Sequence, residues 1–288
     1  MLTLKKILLP VDVPIVSLGI FHQAATLARH FHSEMVMLHV GTPQSQAAGV
    51  PQDTSQSTGW NLLAEIIKEA RKQQDQALEE ELRGLTIRSV LSGGDPGWAI
   101  VNTSEEEKAD LIMMPSYGST FEQFLLGSVA AKVLTRAECP VWTGAHAKGS
   151  QVQKFAVHDI LCAVDLGPRS KDVLLWAAPL AAEFDARLTL AYITASVEFW
   201  GPGGLYVDQK WKTALLDDAS QRMAKLQEET GIKGEVFIGS GDVPKGLSQA
   251  AAETKADLLV TGSYPYGTHL RTHGYAIICA VPIPILNI

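Results

Sequence analysis

Two stretches decide the fold of this chain: ILLPVD at residues 7–12 and ILCAVD at residues 160–165. Each is an apolar run closed by an aspartate, and such runs are typical of strands buried on both faces of a parallel sheet. The two aspartates, Asp12 and Asp165, lie 153 positions apart. A buried strand that occurs twice at this distance indicates that a whole folding unit is repeated.

The remaining parts of the two halves repeat in the same order. Residues 37–40 correspond to 190–193, the GDP of 94–96 to the GDVP of 241–244, and the KADLI of 108–112 to the KADLL of 255–259. The spacing between copies drifts only from 153 to 147 positions. Because this period is far longer than a solenoid repeat, each copy is predicted to be a domain. We expect domains at 1–146 and 154–288, joined by a polar linker at 145–153.

Strand patterns and helical patterns alternate within each copy. The first copy has predicted strands near 7–11, 35–40, 85–91, 111–114 and 140–143, and predicted helices near 16–31, 60–82, 96–107 and 128–137. The second has strands near 159–164, 187–193, 235–239, 257–261 and 283–287, and helices near 170–184, 208–230 and 244–254, with a kink or a late start expected at Pro179. This alternation predicts the α/β class: two tandem Rossmann-like domains, each a five-stranded parallel sheet with helices on both faces.

Composition limits the classes of function. The chain has 288 residues, a net charge of −7 and three cysteines. An acidic chain lacks the positive field that nucleic-acid phosphates require. No apolar stretch approaches the ~18 residues needed to cross a bilayer, so we expect no membrane span. An odd, small number of cysteines fits a reducing compartment, and a cytoplasmic location is expected.

A candidate phosphate site follows the fourth predicted strand of the first copy. Ligands of parallel sheets bind beyond the carboxyl ends of the strands. Residues 114–120 leave that strand, and residues 126–129, LGSV, enter the next helix. Glycines let a backbone approach a ligand closely, and the free N–H groups of a first helical turn favour phosphate. Ser128 is expected to cap this helix or to donate to a phosphate. The alternative is an ordinary strand-to-helix loop that needs glycine for its turns.

At these residues the chain resembles tandem members of the universal stress protein family. The resemblance rests on ILLPVD in the first strand, LHV at 38–40, GDP at 94–96 with ADLIMM at 109–114, LLGSV at 125–129 and CPV at 139–141. It covers nearly the whole chain in two copies. It implies the Rossmann-like fold of the adenine nucleotide alpha hydrolases and a regulatory role in the stress response.

Nucleotide-binding members of that family carry Gly, two residues, Gly, nine residues and then Gly-Ser. Here Pro115 stands at the first glycine, and eight residues separate Gly118 from Gly127. The resemblance implies a site in the first domain for ATP or another adenine nucleotide, with Mg²⁺ as a companion of its phosphates. The site residues that it implies are Pro10, Val11, Asp12, Val40, Met114, Pro115, Gly118, Gly127, Ser128 and Val129.

The second copy departs further from the pattern. Pro265 replaces the second glycine, and Arg271 and Thr272 align with the Gly-Ser pair. A weaker site is predicted for a smaller ligand or an anion, at Asp165, Ile193, Gly262 and Arg271. The alternative is a degenerate loop, in which the aspartate anchors the turn that follows its strand.

No catalytic residue is assigned. Neither a Ser–His–Asp order, nor a carboxylate pair, nor a metal-ligand set stands out, so ATP hydrolysis should be slow at most. The segment GDVPKGLS at 241–248 imitates a P-loop but has Leu247 where lysine is required. His39 is interpreted as a packed core residue, the cysteines as structural thiols, and Trp200 as part of a lid or contact loop at 200–204.

Two functions therefore remain open. One is a nucleotide-responsive regulatory module, and the other is an interaction scaffold that binds no nucleotide. Members of the family pair through their last strands. We expect residues near 140–143 and 283–287 to make such a pseudo-dimer within one chain, with a homodimer as a further level of assembly. The protein partner is not identified.

Overall fold

The computed structural model describes residues 2–11, 18–41, 62–73, 75–115, 127–144, 155–194, 198–201, 204–207, 209–262 and 271–288. They separate into two compact units, the N-terminal unit Thr3–Ala156 and the C-terminal unit Val157–Ile288. The predicted linker, 145–153, lies outside the described residues, so the domain boundaries at 146 and 154 stay predictions. No described helix is long and apolar enough to cross a membrane.

The N-terminal unit is a parallel sheet with helices. Its elements are β1 (Lys6–Val11), α1 (Leu18–Phe31), β2 (Glu34–Gly41), α2 (Leu62–Lys72), α3 (Gln76–Leu82), β3 (Ile87–Gly93), α4 (Pro96–Glu107), β4 (Leu111–Pro115), α5 (Ser128–Arg136) and β5 (Val141–Gly144). The strands lie in the order β3-β2-β1-β4-β5 and pair in parallel. Ile7, Leu8 and Leu9 are completely buried, as their continuous apolar pattern predicts.

The C-terminal unit repeats this topology. It contains β6 (Asp159–Ala163), α6 (Ser170–Phe184), β7 (Arg187–Thr194), β8 (Glu198–Gly201), β9 (Gly204–Val207), α7 (Gln209–Thr230), β10 (Glu235–Ser240), α8 (Val243–Thr254), β11 (Leu258–Thr261), α9 (Arg271–Ala280) and β12 (Ile285–Asn287). The order β10-β7-β6-β11-β12 is the order of the first sheet, element for element. The tandem Rossmann-like prediction is thus confirmed. β5 and β12 contain residues that were expected to pair with each other, and that pairing stays a prediction.

The prediction of a single helix at 60–82 is wrong, because this segment forms two helices, α2 and α3. Asp75, which is 5% exposed, is the N-cap of α3, and its Oδ1 accepts the Leu78 amide at 3.2 Å. An aspartate that satisfies a free first-turn N–H group starts a new helix. The apolar spacing continues across the break, so periodicity alone did not reveal it.

Three features of the C-terminal unit differ from expectation. The predicted late start at Pro179 is wrong, because α6 begins at Ser170 and runs through that proline. Leu175, whose carbonyl loses its helical donor there, is 60% exposed, so water can reach it. The loop around Trp200 is instead an antiparallel hairpin, β8–β9, closed between Gly201 and Gly204. The helix α9 was not predicted.

Matching aspartates start α4 and α8. Asp95 accepts the Trp98 amide at 3.0 Å, and Asp242 accepts the Lys245 amide at 3.1 Å. The glycines before them have φ of +100° and +121°, a backbone region that glycine enters without strain. The segment that imitates a P-loop is therefore a helix start, as its repetition in both copies predicts.

Asp242→Ala is expected to lower the free energy of unfolding by about 1 kcal/mol, the usual cost of removing an aspartate N-cap. Equilibrium unfolding in urea measures this difference. Asp217→Ala, on the exposed side of α7, is the matched control and should change the free energy by less than about 0.5 kcal/mol. Equal effects of the two substitutions would contradict the capping role.

Candidate functional site

The carboxyl ends of β1 and β4 lie at the switch point of the strand order in the N-terminal unit, and we call this place the β1–β4 crevice. These strands pair at Ile7–Leu111 and Leu8–Ile112, three residues before either strand ends. On its other side, β1 stays paired with β2 as far as Val11–His39. The strand order reverses between β1 and β4, and ligands of open α/β sheets bind at such a switch point. The switch point of the fold thus lies at the edge of the sheet where the sequence predicted a site, and ligand binding there stays a prediction.

The predicted site residues lie at this edge of the sheet or at the start of the helix that follows β4. Val11 and Met114 are buried, with 6% and 5% exposure. Ser128 is exposed, and the half-buried members are Pro10, Val40, Pro115, Gly127 and Val129. Asp12 and Gly118 lie outside the described residues. The described set thus combines two buried apolar side chains with one exposed hydroxyl side chain.

The start of α5 has a different cap from the predicted one. Gly127 is the N-cap, with φ −58° and ψ 146°, and Ser128 is the first helical residue. The prediction of Ser128 as the cap is wrong. Gly127 has no side chain with which to satisfy the first turn, although its carbonyl accepts the Ala131 amide at 3.0 Å. First-turn amides need partners from outside the helix, and together with the helix dipole they attract anions.

Pro115 limits the backbone hydrogen bonds that this edge of the sheet can donate. It is the last residue of β4 and lies opposite Gly144 of β5. A proline has no backbone N–H group, so this position cannot donate to a ligand. Among the described residues that follow β4, backbone donors are available at the start of α5.

A charged pair joins the start of α4 to the middle of α5. Lys132 Nζ donates to both carboxylate oxygens of Asp95 at 2.7 Å. A Cβ added to Gly97 would lie 2.6 Å from Lys132 Cδ, so the lysine stem lies directly on the glycine backbone. The Lys132 ammonium, followed by the Trp98 amide, lowers the pKa of Asp95. This pair links α5 to α4, and it was not anticipated from sequence because its residues are 37 positions apart.

In the C-terminal unit, Asp165 anchors a turn. Its Oδ1 accepts the Gly167 amide at 2.8 Å and the Ser170 hydroxyl at 2.9 Å. Arg222 Nη2 donates to the Leu166 carbonyl of the same turn at 3.0 Å. These contacts are the ones that the turn-anchoring alternative predicts for Asp165. Its role toward a ligand stays a prediction.

Two other predicted residues of that unit are engaged in packing. Ile193 is 7% exposed, and a Cβ added to Gly246 would lie 2.9 Å from its Cδ1. A Cβ added to Gly262 would lie 3.0 Å from Val173 Cγ2. Both glycines therefore allow a neighbouring side chain to approach the backbone. Arg271 begins α9, and its side chain lies outside the described part of the chain.

The strand-to-helix connection also differs between the units. Twelve residues separate β4 from α5, whereas nine separate β11 from α9. A shorter connection has fewer amides with which to surround a phosphate chain. The two units thus differ in the length of this connection.

Of the other reactive groups, His39 and Cys162 are buried in the core and Cys139 is half-buried. His39 is 3% exposed, and its Nδ1 lies 3.3 Å from the Val11 carbonyl oxygen. Burial raises the pKa of the Cys139 thiol to about 11 and that of Cys162 to about 12, so both stay protonated at neutral pH. Within the described ranges, no three His, Cys, Asp or Glu side chains come together as a metal site.

Comparison with known proteins identifies the family. The model of the universal stress protein family matches residues 3–143 and again residues 156–272. The chain belongs to the universal stress protein family. A universal stress protein of Methanocaldococcus jannaschii is 36% identical over 140 residues, which is 48% of this chain and 79% of that protein.

Solved structures share the universal stress protein fold over nearly the whole chain. A universal stress protein of Archaeoglobus fulgidus aligns with a TM-score of 0.63 at 21% identity, covering 98% of this chain and 95% of its own. A functionally unknown protein of Pseudomonas aeruginosa aligns with a TM-score of 0.67 at 14% identity, covering 99% and 92%. At these identities the likeness shows the fold alone.

Proposed function

We propose that this universal stress protein binds an adenine nucleotide in its N-terminal unit and acts as a cytoplasmic regulatory module of the stress response. One observation carries the proposal: the start of α5, where the N-cap Gly127 has no side chain to accept a first-turn amide, follows the strand that borders the β1–β4 crevice. The first-turn amides and the Ser128 hydroxyl would receive the phosphates. Val11, Val40 and Met114 would contact the adenine and ribose side.

The inequality of the two units supports the choice of the N-terminal one. Ile193 and Gly262 of the C-terminal unit are already engaged with Gly246 and Val173. Their counterparts in the N-terminal unit, Val40 and Pro115, are half-buried at the edge of the sheet. A C-terminal site would take at most a smaller anion, near Arg271.

Thermal unfolding with ATP, ADP and AMP, each with and without Mg²⁺, tests this proposal. A ligand at about 100 times its Kd should raise the Tm by roughly 5 °C or more. Mass spectrometry of small molecules released from the purified protein is a second readout. A divalent ion bound through the phosphates should make the ATP effect larger with Mg²⁺. No shift with any of the three at millimolar concentration would reject nucleotide binding.

The second candidate is an interaction scaffold that binds no nucleotide, and Pro115 is the observation that favours it. A proline at the end of β4 removes one amide from the phosphate side of the crevice. The scaffold predicts unchanged Tm values with all three nucleotides and no co-purified nucleotide. The same thermal experiment therefore separates the two candidates.

A further inference from the structure

A histidine lies between two carboxylates in the interior of the N-terminal unit. His22, on α1, has a side chain only 4% exposed. Its Nε2 lies 2.7 Å from Asp75 Oδ2, and its Nδ1 lies 2.7 Å from Glu81 Oε2. The side chain of Asp75 is 2% exposed and that of Glu81 20%. His22, Asp75 and Glu81 form what we call the His22 cluster.

The distances define the number of protons on the ring. A neutral imidazole donates from one nitrogen, and its other nitrogen carries a lone pair. A lone pair 2.7 Å from a carboxylate oxygen would be repelled, so each nitrogen needs a proton between itself and its partner. Imidazole is a stronger base than a carboxylate, so these protons belong on the ring.

We infer that His22 is an imidazolium cation and that its second proton holds α3 against α1. Asp75 is the N-cap of α3 and Glu81 lies in its last turn, so one ring joins both ends of this short helix to α1. The inference does not depend on nucleotide binding.

Other charged groups on the surrounding elements are directed elsewhere. Arg29 of α1 donates to the Glu81 and Arg83 carbonyls, where a cation also complements the carboxyl end of α3. On α2 and α3, Arg71 pairs with Glu79, and Glu80 is exposed. On β2, Glu34 pairs with Lys6 and Arg88. The ring of His39, also on β2, lies against the Val11 carbonyl. The segments β4 and β5 contain no charged residue.

Loss of the second proton should open this part of the unit. A neutral ring would leave one carboxylate without its donor, and an unpaired buried charge is strongly destabilising. Contact between α3 and α1 is therefore favoured while the ring is doubly protonated. The His22 cluster thus links the two helices through a contact that depends on the second ring proton.

Nitrogen-15 NMR of histidine-labelled full-length protein at pH 7.5 tests the inference. His22 should give the signals of an imidazolium, with both ring nitrogens protonated. Asp75→Asn combined with Glu81→Gln keeps the cap and the volume but removes both charges, and His22 should then become neutral. A neutral His22 in the unmodified protein would overturn the inference.

Hydrogen exchange provides a second readout. His22→Gln has one donating nitrogen, whereas the imidazolium has two on opposite sides of its ring, so the Leu78 amide at the start of α3 should exchange about ten-fold faster or more. His30→Gln, which removes an exposed histidine from the same helix, is the control and should leave that rate unchanged. Unchanged Leu78 exchange in His22→Gln would show that the proton does not hold α3.

Discussion

Gly127→Val is expected to lower the affinity of the N-terminal unit for an adenine nucleotide by about 100-fold or more. A valine side chain would occupy the space in which phosphates approach the first-turn amides of α5. Loss of two charge-assisted hydrogen bonds, at about 1.5 kcal/mol each, corresponds to roughly this factor. The backbone angles of Gly127, φ −58° and ψ 146°, are ones that valine also adopts, so the fold should be retained.

Isothermal titration calorimetry measures the affinity, and circular dichroism checks the fold. Thr272→Val is the matched control, because Thr272 is the counterpart of Ser128 in the C-terminal unit. It should leave the affinity within about two-fold, since binding is assigned to the N-terminal unit. Retention of full affinity in a folded Gly127→Val protein would contradict the proposed site.

Trp142→Ala is expected to lower the free energy of unfolding by about 3–5 kcal/mol. Trp142 is 1% exposed in β5, and its Nε1 donates to Gln23 Oε1 at 2.7 Å. Its ring also meets Phe155 edge-on, with centroids 5.7 Å apart. The alanine would leave a cavity and would deprive a buried amide oxygen of its donor.

Trp98→Ala is the matched control for this change. Trp98 is 44% exposed and carries Arg136 over its ring at 5.2 Å. An exposed cation–π contact contributes at most about 1 kcal/mol, so the control should be mild. Urea unfolding of both variants gives the comparison. A Trp142→Ala effect no larger than that of Trp98→Ala would contradict the description of the core.

The fold was predictable because the residues that determine it repeat. The apolar runs at 7–11 and 160–164 predicted equivalent central strands, and both are buried in equivalent sheets. Helices were predicted to start near 96 and 244, and Asp95 and Asp242 cap them through local interactions between neighbours in sequence. Buried strands and helix starts could thus be predicted from the sequence alone.

The candidate site was predictable only in outline. The break at Asp75 was missed because an apolar face can continue across two helices. The His22 cluster joins residues 53 and 59 positions apart, and the packing of Ile193 against Gly246 also depends on tertiary contact. Single-sequence patterns carry no information on which distant side chains meet.

Photo-crosslinking with 8-azido-ATP, followed by peptide mapping, tests the central claim most directly. The claim is that one duplicated fold kept its nucleotide crevice in the N-terminal unit. We predict saturable labelling, displaced by excess ATP, on peptides from residues 3–156 near the ends of β1 and β2. Labelling confined to residues 157–288, or labelling that ATP does not displace, would contradict it.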